Sequence, residues 1–479
     1  MQLKPAQITN FQQLITPSAV SKSLMPLEAV QESLNFDFDV IGAVKLRKGL
    51  TRLGNQISAG TNIVGLYEFR DSGSGSNNQI IAVNGTVAYY LSGSTWTSKR
   101  TSLTSGAKAR FTTFLDYVFM VNGNEATAIW DGNPSNSFVT TGNASGAPIG
   151  QFIENFRSRV WIAGNSTYPD RVYYSSLPSA VATPVITWDT TVTGGQWFDI
   201  SPSDGENITG LKRDKSTLLV FKQNHIYRIA SINETEPDPK INVGTYSNES
   251  IVETENGIYF HHPTGFYRYL NGGAQRISQP IQDIVEAVTL ANYDEITGWA
   301  DGDHVYWSVG DITYKGVTYS NCVVRYTISS QTWTHRSYPS QIRFASKYND
   351  GSTLFNLVGD SAGNVLKVNV GNADNGTPIS YSFITRPYTL DGFFSTRKNV
   401  SKLSAIHEGA QGGKLEWQSD NMLTNEWNKI GVIDEQIMKP KTVDIKGREI
   451  KFRLSGASSG EPFTFYGWEA LEGTTELIG

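Results

Sequence analysis

Ile81-Ala82-Val83-Asn84-Gly85-Thr86-Val87-Ala88-Tyr89-Tyr90 reads as a short apolar strand, an Asn-Gly turn and a second, Tyr-rich strand. Branched and aromatic side chains suit a pleated, half-buried surface. Asn-Gly supplies the left-handed backbone that a tight hairpin needs. The unit returns at Val118-Phe119-Met120-Val121-Asn122-Gly123, which runs on to Ile129-Trp130-Asp131-Gly132, and further copies begin near Val160, Leu219, Ile258, Val305 and Phe355. Counted from Ile81, successive copies stand 37 to 59 residues apart. That interval brackets the ~40–50 residues of a four-stranded propeller blade.

Two copies also end alike, in Leu91-Ser92-Gly93-Ser94-Thr95-Trp96-Thr97 and in Tyr326-Thr327-Ile328-Ser329-Ser330-Gln331-Thr332-Trp333-Thr334. A kelch-type blade closes in a similar way, with a Trp packed between blades. A lone blade cannot cover both faces of its sheet, whereas blades stacked about an axis bury each face on a neighbour. The expectation is an all-β chain with a six- or seven-bladed β-propeller over residues 61–378. The competing arrangement is two successive β-sandwiches, which also carry short strands at regular spacing.

Residues 1–60 read as an N-terminal arm and a hairpin. Phe36, Phe38 and Val40 alternate with Asp37 and Asp39, Ile41-Gly42-Ala43 turns the chain, and Val44-Lys45-Leu46-Arg47 alternates again. After the turn signal Asp374-Asn375-Gly376-Thr377-Pro378, residues 379–479 alternate cleanly in Glu449–Leu454 and Phe463–Tyr466. This is the pattern of a half-solvated antiparallel sheet, and it predicts a β-sandwich platform domain completed by the N-terminal hairpin. The one helix expected lies around Ile281–Ala291, with Ile284, Val285 and Val288 on its apolar face.

Composition agrees. Charged residues are only 18%, while the chain holds 45 Gly, 22 Tyr, 22 Phe and 11 Trp. The 40 Lys and Arg against 45 Asp and Glu leave a formal charge of −5. A protein that grips nucleic acid needs clustered cations to displace phosphate counterions, so tight binding is disfavoured, but passage of DNA is not. The single cysteine, Cys322, lies in an apolar run and reads as a buried thiol. No apolar run reaches the ~18–20 residues that span a membrane. The expectation is a soluble chain that inserts into no membrane and is made in a reducing cytoplasm.

No motif for phosphate, dinucleotide or metalloprotease chemistry occurs. His261-His262 is the one adjacent histidine pair. Strand neighbours point to opposite faces, so one half-buried and one exposed ring are expected, with no shared metal. Asp37 with Asp39, and Glu253 with Glu255, would each share a strand face at about 7 Å. That separation lies near those of glycosidase carboxylates, but catalytic pairs come from different strands, and both pairs read as solvated acids. Sialidase-type propellers gather arginines on the substrate carboxylate. Arg157, Arg159, Arg171 and Arg268 are the candidates, and nothing in the sequence converges them. No catalytic, cofactor-binding or metal-binding residue is expected. Lys45, Arg47 and Lys48 form a small basic cluster. The long interval between Val160 and Leu219 holds Asp189, Thr190, Thr191, Gly194 and Gly195, a Thr/Gly-rich stretch suited to a gate or surface loop.

The order of arm, hairpin, propeller and β-rich C-terminal domain resembles the tail nozzle proteins of short-tailed bacteriophages, also called tail hub or packaged-DNA stabilisation proteins. Gly42-Ala43-Val44-Lys45-Leu46-Arg47-Lys48-Gly49-Leu50-Thr51-Arg52 is similar to a run near the start of such proteins, and Ile379–Pro387 is similar to their post-propeller strand. The resemblance implies a non-enzymatic virion tail protein, synthesised in the host cytoplasm. It implies a homohexamer docked through its platform to portal-adaptor or tail adaptor proteins, with tail fibres or spikes on its flank. Double-stranded DNA would pass through non-specifically. Lys45, Arg47 and Lys48 would then be platform or adaptor contacts. The alternative is a glycan-binding or glycan-hydrolysing propeller with an accessory sandwich, and a third option is a kelch-like interaction scaffold.

Overall fold

The computed structural model describes the chain apart from residues 21–23, 73–77, 181–184, 189–195, 233–237, 315, 410–411, 421, 423–425, 434–436, 459, 461–462 and 478–479. Strand makes up 54% and helix 5%, so the fold is all-β. The expected helix is present as a short turn, Gln282–Ala287, with Ile284, Val285 and Val288 buried.

Small antiparallel meanders follow one another along the chain. The first sheet comprises Ile63–Phe69, Gln79–Asn84, Val87–Ser92 and Thr95–Arg100. The second has three strands, Arg110–Phe114, Tyr117–Val121 and Ala128–Trp130. The third is Phe152–Phe156, Arg159–Ala163, Arg171–Tyr174 and Trp197–Asp199, and the fourth is Ile208–Asp214, Thr217–Lys222, Ile226–Ile229 and Asp238–Ile241. The fifth is Val252–Thr254, Gly257–His262, Gly265–Leu270 and Gly273–Arg276. The sixth begins with Thr297–Asp301, His304–Tyr314, Val317–Thr327 and Thr332–Ser337. The seventh is Ile342–Asn349, Leu354–Asp360 and Val365–Val368, and its fourth strand is Leu50–Arg52, taken from before the first sheet. All seven repeat markers, Ile81 through Phe355, lie on the second strand of successive sheets.

Each sheet shares a dry core with the next. Val64 and Val83 pack with Ala109 and Met120, Phe119 with Ile153 and Ile162, and Trp161 and Val172 with Leu218 and Val220. Phe221 meets Phe260, Phe266 meets Trp307 and Trp333, and Tyr306 and Val323 meet Ile342 and Val358. The seventh sheet then packs on the first, Phe344, Leu357 and Val365 against Ile63 and Ala82. Gly359 lies at that seam, where a Cβ would stand 2.4 Å from Ile63 Cγ2.

The sixth sheet does not stop at four strands. Ala29–Leu34 adds in parallel beside Thr332–Ser337, followed by Ile379–Thr385, Ile450–Ser458, Lys414–Ser419 and Asn428–Val432. With Gln13–Leu14 paired to Ala29–Leu34, this makes a ten-stranded sheet. A six-stranded sheet packs on its far half. It orders Ile437–Gly447, Thr396–Gly409, Phe463–Leu477, Val44–Leu46 and Phe36–Asp37, with Ala6–Ile8 on Phe463–Leu477. An aromatic layer fills the space between: Phe452 stacks on Trp468 at 5.4 Å, Phe383 lies 6.1 Å from Trp468, and Phe11 and Phe465 complete the cluster. Such rings contribute large apolar areas and about 0.5–1.5 kcal/mol per well-set pair beyond area alone.

Candidate functional site

Two constructions stand out once the sheets are in place. The first is a cavity of ≈ 250 Å³ that all seven sheets touch. Leu66 and Tyr67, Arg110 and Phe111, Ile153 and Glu154, Leu211 and Lys212, Glu249 and Ile251, Thr297 and Gly298, and Phe344 and Ala345 line it in turn. These belong to the first strand of each sheet, or to the turn entering it. Side chains cross-link the space. Arg110 Nε and Nη2 donate to the two Glu249 carboxylate oxygens at 2.6 and 2.9 Å, Lys212 Nζ lies 3.0 Å from Glu253, and the Tyr67 and Thr113 hydroxyls share a 2.8 Å hydrogen bond. Burial alone would raise the Glu249 carboxyl, but the Arg110 and Lys108 charges outweigh it and hold the group at about 2.

The second construction is an ionic joint between the N-terminal hairpin and the sixth sheet. The Asp37 carboxylate sits between two buried arginines, with Arg325 Nη1 at 2.8 Å and Arg336 Nη2 at 2.7 Å. Desolvation opposes the charge, yet the two guanidinium groups keep Asp37 below the ordinary carboxylate range. Arg336 also donates to Asn369 at 3.1 Å and lies over the Tyr306 ring at 4.9 Å. Arg325 reaches Asp39 and His304 on its outer side. The expectation of two solvated acids is therefore corrected: Asp37 is 5% exposed and ion-paired, and only Asp39 faces water. Alternation had identified the shared face, but not the arginines that cover it.

The three residues of the basic cluster part company. Arg47 is fully buried, paired with both Asp374 oxygens at 2.8 and 2.5 Å, donating to Asn35 Oδ1 at 2.7 Å and to the Ser337 carbonyl at 2.9 Å. It joins hairpin, sixth sheet and the segment after the seventh, so it offers nothing to an external adaptor. Lys45 is half-buried and Lys48 exposed. Asp189, Thr190, Thr191, Gly194 and Gly195 lie outside the described residues.

The histidine pair also departs from expectation. His261 is 1% and His262 9% exposed. Burial holds His261 neutral, down to about 3, and its nitrogens have no hydrogen-bond partner among the described residues. His262 is fixed between Thr264 and Asn224. Glu253 pairs with Lys212, while Glu255 falls in the following turn. Arg171 is held by Asp199 at 2.7 Å, Arg268 by the Asn256 carbonyl at 2.8 Å, Arg159 lies over Tyr174 and Arg157 over Phe156, so these four do not converge. Among the described residues no group of three His, Cys, Asp or Glu side chains is placed to hold a metal. Cys322 is buried, and burial raises its thiol well above its usual range.

Sequence reasoning missed Arg110 and Glu249, although a signal existed: each is a charge at the entrance to a first strand or just before one. It also passed over a recurring amide at the end of second strands, in Asn84, Asn122 and Gln223, with Asn165 two residues beyond one. Asn122, Asn165 and Gln223 gather at one end of the shared cavity, while Asn84 donates to the Thr61 carbonyl at 2.7 Å.

No family model matches the chain, and no curated protein does. Among solved structures it is similar to the computationally designed Ika8 protein, at TM-score 0.39 and 11% identity, covering 67% of this chain and 100% of that one. It is also similar to Saccharomyces cerevisiae Sqt1, at TM-score 0.42 and 8% identity, covering 68% of this chain and 100% of that one.

Proposed function

We propose that this chain is a structural virion protein, the tail nozzle of a short-tailed bacteriophage, whose copies form a homohexameric conduit that retains packaged DNA and passes it during ejection. In this reading the seven meanders are propeller blades, Leu50–Arg52 closes the last of them, and the two-layer body is a β-sandwich platform. The observation that carries it is the ten-stranded sheet, which runs without interruption from the sixth meander into the platform. A part that must hold a bore open under load needs a stiff connection between its docking end and its tube end, and a shared sheet supplies one.

The dimensions favour a bore between copies. The DNA major groove alone is about 12 Å wide, while the cavity among the sheets is ≈ 250 Å³ and crossed by ion pairs. DNA therefore passes between copies and not through any one of them. The formal charge of −5 per copy favours a lumen to which DNA does not cling. Lys48 and Lys45 remain as contacts for a portal-adaptor or tail adaptor protein, and fibres or spikes would attach on the flank.

Native mass measurement and negative-stain imaging of the full chain, alone and mixed with a portal-adaptor complex, test the reading. Six-fold particles with a bore wide enough for duplex DNA are expected. A chain that stays monomeric in both mixtures overturns it.

A further inference from the structure

At one end the shared cavity opens into a funnel of ≈ 660 Å³, within the range of ligand pockets. Arg110 and Asn248 line both spaces. The funnel takes residues from the second, third and fourth sheets and from the loops that lead into the second, fifth and sixth, and it is rich in carboxamides. We propose that it is a binding site for a neutral saccharide.

Charge comes first. The lining holds two cations, Lys108 and Arg110, and two acids, Asp294 and Glu295. None of the cations is free: Lys108 Nζ donates to the Asp294 carbonyl and lies 3.5 Å from Glu295, and Arg110 is committed to Glu249 at 2.6 Å. A nucleic acid or acidic ligand needs uncompensated positive charge, and the funnel has none to give.

Hydrogen-bonding capacity comes second. Gln151 and Asn207 are exposed at the rim, and their amides carry no hydrogen bond within the described residues. Gln223 contributes a further amide, whose Oε1 is shut from solvent without a partner. Each amide both donates and accepts, which matches a sugar hydroxyl in either role. Tyr246 adds a half-buried ring, held edge-on by Tyr293 at 5.8 Å, with a hydroxyl that has no partner among the described residues. A ring face for the sugar's C–H surface beside amides for its hydroxyls is a saccharide-binding combination. A peptide anchor would need a deeper apolar pocket, and the funnel's apolar wall is little more than Phe152, Ile208 and Pro169.

Saturation-transfer NMR on the full chain with maltotetraose, cellotetraose and chitotetraose, and with sialyllactose as the acidic counterpart, tests the site. At least one neutral tetrasaccharide should receive magnetisation, and Tyr246→Ala and Gln151→Ala should each weaken its binding by about tenfold or more. Gln151 is exposed, so Gln151→Ala keeps the melting temperature and isolates binding from folding. Lys429→Ala, on an outer strand of the platform, should leave binding unchanged. Silence from all three neutral sugars, a preference for sialyllactose, or binding that survives both funnel variants overturns the proposal. The conduit reading is independent of it: a chain that assembles into rings and binds no sugar sinks this site alone.

Discussion

The seven meanders and the two-layer body are built by opposite rules. Within a meander each strand pairs with the one just made, as Ile81 with Tyr90 and Tyr259 with Arg268. In the two-layer body the partners come from both chain ends: Ala6 pairs with Ala470, Gln2 bridges Thr474, and the Met1 amine donates to the Thr475 carbonyl at 2.9 Å. Local pairing closes small loops at small entropic cost, while pairing between strands more than 400 residues apart defers its reward until the later strand exists. The meanders can therefore form as they emerge, whereas the two-layer body waits for its C-terminal strands. Even the seventh meander waits for nothing new, since Leu50–Arg52 is already made when Val365–Val368 arrives.

The joint between the two regions offers the most forceful way to break that contrast. Asp37→Ala leaves Arg325 and Arg336 buried without their common anion, and breaking a buried pair by removing one partner costs about 3–5 kcal/mol. Urea unfolding should register that loss in full. A deficit under about 1 kcal/mol would mean that the hairpin is not clamped to the sixth sheet as the 2.7 and 2.8 Å contacts require.

A pair of tryptophans sharpens the local half of the comparison. Trp333 and Trp96 occupy matching fourth strands. Trp333 is wholly buried among Phe266, Trp307 and Tyr326, with Nε1 donating to the Ile277 carbonyl, whereas Trp96 is half-buried and donates to the Asn55 carbonyl. Trp333→Ala should cost about 3–5 kcal/mol, the range for deleting a buried large ring. Trp96→Ala should cost clearly less by the same thermal or denaturant measurement, and equal losses would deny that the sixth sheet is the better-packed of the two.

That pair also shows what the sequence could and could not disclose. Both endings were legible because a Tyr, a polar turn and a Trp stand within a dozen letters, and the seven strand markers were legible for the same reason. What covers a face was not. Asp37 looked solvated because its arginines lie 288 and 299 residues away, and Arg47 looked exposed because Asp374 is equally remote. His262 looked free to face water because nothing nearby in sequence announces Asn224 as its partner. The funnel amides were visible as turn formers, and turn chemistry explained them fully until the sheets brought them to one mouth.

Acid probes the cavity the meanders share. Glu249 titrates at about 2 in the folded chain against an ordinary 4.5, so its ionised form is favoured by folding. The contribution is complete above pH 4.5 and is lost as pH falls towards 2. At about 1.4 kcal/mol per pH unit of difference it amounts to roughly 3 kcal/mol. Glu249→Gln should therefore be less stable than the native chain at pH 7, with the gap closing below pH 4.5. Comparing the two chains matters, because His261 and His335 are both held neutral by burial, at about 3. The unfolded chain takes up protons on them below pH 6.5, so every variant loses stability there. A gap that persists unchanged at pH 3 would place the Glu249 contribution in packing and not in charge.

The smallest effect tests whether the run of meanders closes on itself. Gly359 has an ordinary strand backbone, so the only objection to a side chain there is space: its Cβ would stand 2.4 Å from Ile63 Cγ2 and 2.7 Å from Ile63 Cβ. Both atoms belong to the branched stem of a residue that is itself fully buried, so neither can swing aside, and the two sheets must part. Overpacking of this kind costs about 1–3 kcal/mol, and Gly359→Ala should show it as a lowered denaturation midpoint. Ile63→Ala in the same chain should cost less than it costs alone, because it removes the Cγ2 and Cγ1 atoms that the new methyl meets at 2.4 and 3.2 Å. Non-additivity is the discriminating result: two sheets that merely lay near each other would suffer from both changes additively, whereas a tight seam between the last meander and the first makes the combined loss smaller than the sum.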